Sequence, residues 1–388
     1  MYVSNLALKN WRNFSDVDID LAHRVFIVGP NACGKSNLLD VFRFLRDIAK
    51  DGGGLKEAVN TRGGVSKIRS LSARSRPDVE IHIHLEDETD PAVHWTYAIG
   101  FTQIGGGIAS LNPKLRYERV KKGEKTLLDR PNDQDKEDGK LLEYTYLEQP
   151  NSNRTFREIA DFLKDIQYLN VAPQLLRESA SFLRADTKED FYGHKLIEKM
   201  NGTNRNTRKA YLKKIESVLT KAIPQLKNLE LIKDNRGVPH LQATYQHWRA
   251  RGARQWEDQF SDGTLRLIGF LWSLLNGSKP LLLEEPELSL HPGLVELLAG
   301  VIARLQRRTK LKILRQVILS THSYELLSDP GIAPEEILML IPKKEGTEVI
   351  NTASDEEIKS LLMSGMTAGE AVLPAISSVD SAQLMLEF

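Results

Sequence analysis

The chain has 388 residues, 27% charged and 41% hydrophobic, with a formal net charge of +1. That length holds one elaborated α/β domain or more than one core, and the near-neutral balance argues neither for nor against nucleic acid, leaving any such contact to local patches. The single cysteine, Cys33, excludes an intramolecular disulfide, and no leader pattern or membrane-length apolar run is present, so a cytoplasmic protein without a membrane partner is expected.

Tyr2 to Leu8 alternates loosely and reads as a strand, Lys9 to Phe14 as a polar turn with aromatics, and Val17 to Leu21 as a half-buried strand. The apolar run Val25 to Val28 then meets Gly29-Pro30-Asn31-Ala32-Cys33-Gly34-Lys35-Ser36, the pattern G-x-x-x-x-G-K-S, followed by a helical run from Asn37 to Leu45. Strand, glycine loop and helix together predict a nucleoside triphosphate site. Glycines admit close approach of a phosphate, and successive N–H groups make a nest at the positive end of the helix. Lys35 is expected on the β/γ-phosphates and the Ser36 hydroxyl on Mg²⁺. A thiol at position 33, beside a helix N-terminus, is expected to have a lowered pKa. Gly52-Gly53-Gly54 and Arg62-Gly63-Gly64 then break the pattern and read as a flexible region beside the nucleotide.

From Asp78 to Leu147 the period becomes two, predicting an antiparallel layer with strands at Val79–Leu85, His94–Phe101, Lys114–Val120 and Leu142–Leu147. Gly105-Gly106-Gly107 and an acidic loop from Asn132 to Lys140 mark turns. His82 and His84 share a strand face, but without a third ligand they read as a solvated face rather than a metal site. From Thr155 to Leu226 the period is helical, with a loop at Asn201–Asn206 and a basic run, Arg205, Arg208, Lys209, Lys213 and Lys214. That run is read as a solvated helix face, with phosphate contact as the alternative. Leu229–Lys233 and Leu241–Tyr245 read as strands around Asp234-Asn235-Arg236-Gly237.

Phe260-Ser261-Asp262-Gly263-Thr264 precedes an apolar helix, Leu265 to Leu275. A Ser-x-Gly turn at a helix N-terminus is a phosphate-binding device, and Ser and Asp there are equally ordinary caps. Pro280-Leu281-Leu282-Leu283-Glu284-Glu285-Pro286-Glu287 is an apolar strand ending in carboxylates, the expected partner of the glycine loop. Glu284 is read as orienting Mg²⁺ and Glu285 as polarising the attacking water. A helix from Leu294 to Leu305 follows, with Arg304, Arg307, Arg308, Lys310 and Lys312 clustered at its end. Gln316–Ser320 reads as a buried strand that delivers His322 beside the carboxylates, within reach of a γ-phosphate.

The order of these pieces resembles the ABC-type ATPase heads of the RecF, SMC and OLD families, over residues 1 to about 345. The resemblance implies an α/β P-loop head with a mixed central sheet, an antiparallel layer and a helical insert. It implies that Arg12 lies near the nucleotide, that Ser261, Asp262 and Gly263 are the signature, that Glu284 and Glu285 are the Walker B pair, and that His322 is the switch histidine. Glu287 to His291 matches the D-loop. Gln174, after the strand Tyr168–Val171, is the best match to the metal-side glutamine. Glu284 stands where aspartate is usual, which implies slightly altered metal geometry, and Asp262 stands where transporters carry glycine, which argues against a transporter head.

The segments expected are 1–154 with the P-loop and antiparallel layer, 155–228 as helical insert, 229–351 with the remaining motifs, and 352–388 as a short tail. In such heads the signature completes the site of a second subunit, which implies ATP and Mg²⁺ as cofactors and a homodimer or higher even oligomer. Neither a long coiled coil nor a Toprim nuclease domain is expected within these residues. It is most similar to stand-alone OLD-like heads of anti-phage defence modules, which implies a separately encoded effector, nuclease or Toprim-like. The alternative is a RecF-like clamp that grips DNA.

Overall fold

A computed structural model describes the chain except residues 74–76, 91–92, 104–111, 178–189, 191, 247–252, 307–313 and 377–388. Gly105-Gly106-Gly107 and the cations at 307, 308, 310 and 312 lie outside the described residues.

β1 (Tyr2–Trp11) and β2 (Phe14–Asp20) form a hairpin with Leu8 opposite Val17 and Trp11 opposite Phe14. β3 (Arg24–Val28) is buried at every position, as expected of a strand covered on both faces. The glycine loop leads into α1 (Lys35–Ala49), then α2 (Leu55–Asn60) and α3 (Val65–Ile68). Those two short helices correct the expectation of a loose loop, because Leu55, Ala58, Val59, Val65 and Ile68 are buried against the core.

β4 (Val79–Glu86), β5 (His94–Gln103), β6 (Pro113–Lys122) and β7 (Lys125–Arg130) extend the hairpin into a six-stranded antiparallel sheet, ordered β2-β1-β4-β5-β6-β7. His82 and His84 point away from the buried face of β4, and His82 Nε2 lies 2.6 Å from the Tyr117 hydroxyl. Among the described residues no group of three or more histidine, cysteine, aspartate or glutamate side chains is placed to hold a metal ion.

The strand expected at Leu142–Leu147 is absent: α4 (Asp133–Glu137) is followed by a 3₁₀ turn over Gly139–Glu143. The cause is Arg130, a fully buried guanidinium at the end of β7. It pairs with Asp135 at 2.6 Å and Glu118 at 3.0 Å, and donates to the carbonyls of Leu141 and Tyr144 at 2.9 Å each. Carbonyls drawn onto a buried cation are not offered to a sheet ladder.

α5 (Arg157–Lys164) packs on α1, and β8 (Gln167–Leu169) joins the core sheet. α6 (Pro173–Arg177), α7 (Leu196–Gly202) and α8 (Arg205–Ala222) follow, the last capped by the Asn204 side chain, so the expected loop ends earlier than Asn206. The stretch read as a helical insert therefore also supplies a core strand. β9 (Leu226–Lys233), β10 (Pro239–Tyr245) and β11 (Ala253–Trp256) make a three-stranded antiparallel sheet.

The remainder runs α9 (Asp262–Leu275), β12 (Leu281–Glu284), α10 (Pro292–Gln306), β13 (Val317–Thr321), α11 (Tyr324–Leu327), β14 (Ile337–Lys343), β15 (Gly346–Asn351), α12 (Glu356–Met363) and α13 (Ala368–Ile376). The core sheet is ordered β15-β14-β3-β13-β12-β8, all parallel except β15. It divides two apolar cores, and the period of two assigns its side chains. Val25, Ile27, Leu282, Ile318 and Leu338 face α1 and the antiparallel layer. Phe26, Val28, Leu281, Leu283, Val317 and Leu319 face α9 and α10. Among the described residues no helix is long and apolar enough to cross a membrane.

Candidate functional site

β3, β13 and β12 lie side by side and parallel, so the segments leaving their carboxyl ends converge. From β3 comes the glycine loop. Gly34 takes φ +103°, and a Cβ at Gly29 would sit 2.6 Å from Cys33 Sγ and 2.9 Å from the Leu340 carbonyl oxygen, so both positions demand glycine. Ala32 carries the loop through φ +62°. Asn31 and Ala32 are exposed, Ser36 is exposed, and Asn37 is half-buried. Lys35 folds back along the loop, donating from Nζ to the carbonyls of Gly29 at 2.8 Å and Pro30 at 3.1 Å.

The loop is tied from outside by residues with no local motif. Asn13 Nδ2 donates to the Cys33 carbonyl at 2.7 Å, Thr347 Oγ1 donates to the same oxygen at 2.8 Å, and Asn37 Nδ2 donates to Asn13 Oδ1 at 2.7 Å. Cys33 itself is buried, and burial pushes its thiol up despite the nearby Lys35 charge. The lowered pKa expected from the helix N-terminus is thus overturned by desolvation.

From β12 comes Glu284. Its Oε1 accepts from the Ser36 hydroxyl and its Oε2 accepts from the Tyr168 hydroxyl on β8. Burial, then the adjacent Glu284, raises the Tyr168 phenol, so it remains a donor. The next residue, Glu285, takes φ +42°, and its N–H donates to the Ser320 carbonyl at 3.1 Å. From β13 comes His322, whose Nδ1 lies 3.3 Å from Glu285 Oε1. Glu287 is buried, accepts from Thr321 Oγ1 at 2.6 Å and from the His322 N–H at 3.4 Å, and leaves Oε2 unpartnered. Burial pushes its carboxyl above the usual range.

Lys35, Ser36, Glu284, Glu285 and His322 are thereby brought to one place. Their chemistry suits a polyphosphate with a hard divalent cation: one ammonium, an oxygen pair on Ser36 and Glu284, and an acid–imidazole pair next to them.

The remaining expected site residues have other partners in the chain. Arg12 donates to Asp40 at 2.7 Å, within a buried ion cluster that includes Arg62 at 2.8 Å from Asp40 and 2.9 Å from Asp47. Gln174 is not at Ser36 and Glu284; its amide donates to Asp262 Oδ2 at 3.4 Å, and Tyr168 occupies the position beside Glu284 instead. Ser261, Asp262 and Gly263 form the N-terminus of α9. Ser261 Oγ accepts the Thr264 N–H at 3.2 Å, Asp262 pairs with Arg177 at 2.5 Å, and a Cβ at Gly263 would lie 2.5 Å from the Ser289 carbonyl oxygen. This turn sits against α6, which follows β8, while the glycine loop follows β3. The turn is held there by Arg177 of α6 and by the close approach of the Ser289 backbone.

A glycine loop on one parallel strand and an acidic end two strands away, with a histidine-bearing strand between them, are the arrangement of a P-loop NTPase fold. Residues 24–328 match the family described as AAA domain, putative AbiEii toxin, Type IV TA system (AAA_21). The DNA replication and repair protein RecF of Clostridium beijerinckii is 33% identical over 91 residues, covering 22% of this chain and 24% of its own length. The match thus spans about a quarter of that curated relative. Among solved structures, an SmcHead bound to the C-winged helix domain of ScpA aligns with TM-score 0.54 and 13% identity, covering 90% of this chain and 98% of that one. An Smc head domain with an extended coiled coil, bound to the C-terminal domain of ScpA derived from Pyrococcus furiosus, aligns with TM-score 0.50 and 13% identity, covering 90% and 96%. The chain belongs to the AAA_21 family and has the fold of an ABC-type ATPase head of the RecF/SMC group.

Proposed function

We propose that the chain binds and hydrolyses ATP, closes on a second copy of itself around the nucleotide, and in that state controls a separately encoded effector in an anti-phage defence module. The observation that carries the ATPase reading is the meeting of Ser36 with Glu284 beside the Glu285–His322 pair.

Lys35 leaves the carbonyls of Gly29 and Pro30 for the β/γ-phosphates, while the N–H groups from Asn31 to Asn37 cradle the phosphate oxygens. Ser36 and Glu284 would hold Mg²⁺, which neutralises charge developing on the phosphates. Glu285 orients the attacking water and takes its proton. His322 donates to a γ-phosphate oxygen, and its contact with Glu285 keeps both side chains on the same reacting centre. Ser261, Asp262 and Gly263, at the N-terminus of α9, supply the second face of a neighbouring copy's site. Closure then reports ATP, and hydrolysis reopens the pair.

The family description, which names a putative AbiEii toxin and a Type IV TA system, supports a chain that acts together with another gene product. An effector of nuclease or Toprim-like chemistry fits that reading. The test is co-purification of the products of adjacent genes with and without ATP, alongside duplex-DNA binding across a salt series. An effector retained in one nucleotide state supports the proposal. Duplex DNA bound with a steep salt slope, and no protein retained, would replace it with a RecF-like clamp.

A further inference from the structure

We infer that Tyr168 is a positioning residue that fixes Glu284 by its outer oxygen so that the inner oxygen, facing Ser36, is kept for the divalent cation. The inference rests on the reading of Ser36 and Glu284 as the pair that holds that cation.

Tyr168 is the middle residue of β8, in register with Leu282 of β12, so its side chain stands beside the end of the acidic strand. The two oxygens of Glu284 are divided between partners: the Tyr168 hydroxyl on Oε2 and the Ser36 hydroxyl on Oε1. Behind the phenol, the Arg43 guanidinium of α1 lies 4.4 Å from the ring centroid, so the ring is held between the P-loop helix and the Walker B strand. A glutamate carries one more rotatable bond than an aspartate, and the half-buried Glu284 gains a second anchor in compensation. A carboxylate accepts hydrogen bonds on both oxygens, and occupying the outer one leaves the inner one in a single orientation toward the loop. The same ring links three elements of the site: α1, which begins with Lys35 and Ser36, β12 and the sheet edge β8.

The test uses Tyr168→Phe, which keeps the ring beneath Arg43 and removes only the hydroxyl. Mn²⁺ affinity is measured by electron paramagnetic resonance on the ATP-loaded Glu285→Gln chain, and fluorescent-ATP affinity is measured in EDTA. Unchanged affinity in EDTA and Mn²⁺ affinity weaker by about tenfold are expected, the ratio for losing a hydrogen bond to a charged carboxylate. In a Glu284→Asp background, whose shorter side chain does not reach the phenol, Tyr168→Phe should change Mn²⁺ affinity less than about twofold, against the tenfold effect beside glutamate. Equal Mn²⁺ affinity with and without the hydroxyl, or an equal loss in both backgrounds, would overturn the inference. Ser36→Ala and Glu284→Gln separate the two levels. If both weaken Mn²⁺ and Tyr168→Phe does not, only the positioning role falls; if neither weakens it, the reading of the cation pair falls as well.

Discussion

Replacing Arg62 by methionine tests whether the segment after α1 is built structure or a loose loop beside the nucleotide. Its guanidinium has 6% exposure and donates to both oxygens of Asp40 at 2.9 and 2.8 Å, to Asp47 at 2.9 Å and to the Ala58 carbonyl at 2.8 Å. Methionine keeps much of the volume and leaves two buried carboxylates short of a partner. Asp40 retains Arg12 at 2.7 Å, and Asp47 retains Arg46 and Lys50 at 3.2 Å each. Breaking a buried pair costs about 3–5 kcal/mol, and these remaining cations put the expected loss near the lower bound, about 3 kcal/mol. Urea unfolding followed by tryptophan fluorescence measures it as a lower midpoint at unchanged slope. The pH dependence has a definite sign. Burial pushes Asp40 and Asp47 up, but Arg62 with its neighbours overrides this and holds both carboxyls below the usual range. The unfolded chain then binds more protons, so this contribution is complete above about pH 4 and is lost as pH falls through the lower folded values. Arg62→Met should therefore show a weaker acid-side slope. A loss under about 1 kcal/mol, the size of a solvated surface pair, would refute the reasoning.

Lys35→Ala should abolish fluorescent-ATP binding, whereas Glu285→Gln should preserve binding and slow phosphate release by about 100-fold or more; a normal rate in Glu285→Gln would remove Glu285 from the water-activating role. Glu287→Gln addresses a carboxyl whose folded pKa is raised by burial. The folded chain holds the extra proton, so wild-type stability falls as pH rises from about 4.5 through the folded value, and the glutamine variant lacks that fall. Thermal midpoints should diverge in favour of the variant between pH 4 and pH 8; a constant difference across that range would contradict the burial argument.

The strands that carry the chemistry were legible because each is an apolar run stopped by a polar motif: Val25–Val28 by the glycine loop, Leu281–Leu283 by Glu284 and Glu285, Val317–Leu319 by Ser320 to His322. Their lateral order was not, since no local pattern states that β13 lies between β3 and β12. The α9 cap was visible as Ser261 before an apolar helix, and the structure makes it the N-cap. The resemblance implies Arg12 near the nucleotide, and its partner in the structure, Asp40, 28 positions away, carries no signal in the sequence. Asn13 and Thr347 meet at the Cys33 carbonyl from opposite ends of the chain, and neither carries a signal in its own neighbourhood. Tyr168 offered a faint one: a hydroxyl-tipped aromatic in a short core strand needs a polar partner. At Cys33 two known effects oppose each other, and only the burial seen in three dimensions decides between them.

The central claim is that the site is completed by a second copy. It is tested most directly by light-scattering mass of the Glu285→Gln chain with and without Mg-ATP, compared with the same chain carrying Ser261→Arg. An ATP-dependent doubling of mass is expected in the first and none in the second, with fluorescent-ATP affinity in EDTA equal in both. An ATP-loaded chain whose mass does not change, or a doubling that survives Ser261→Arg, would contradict it.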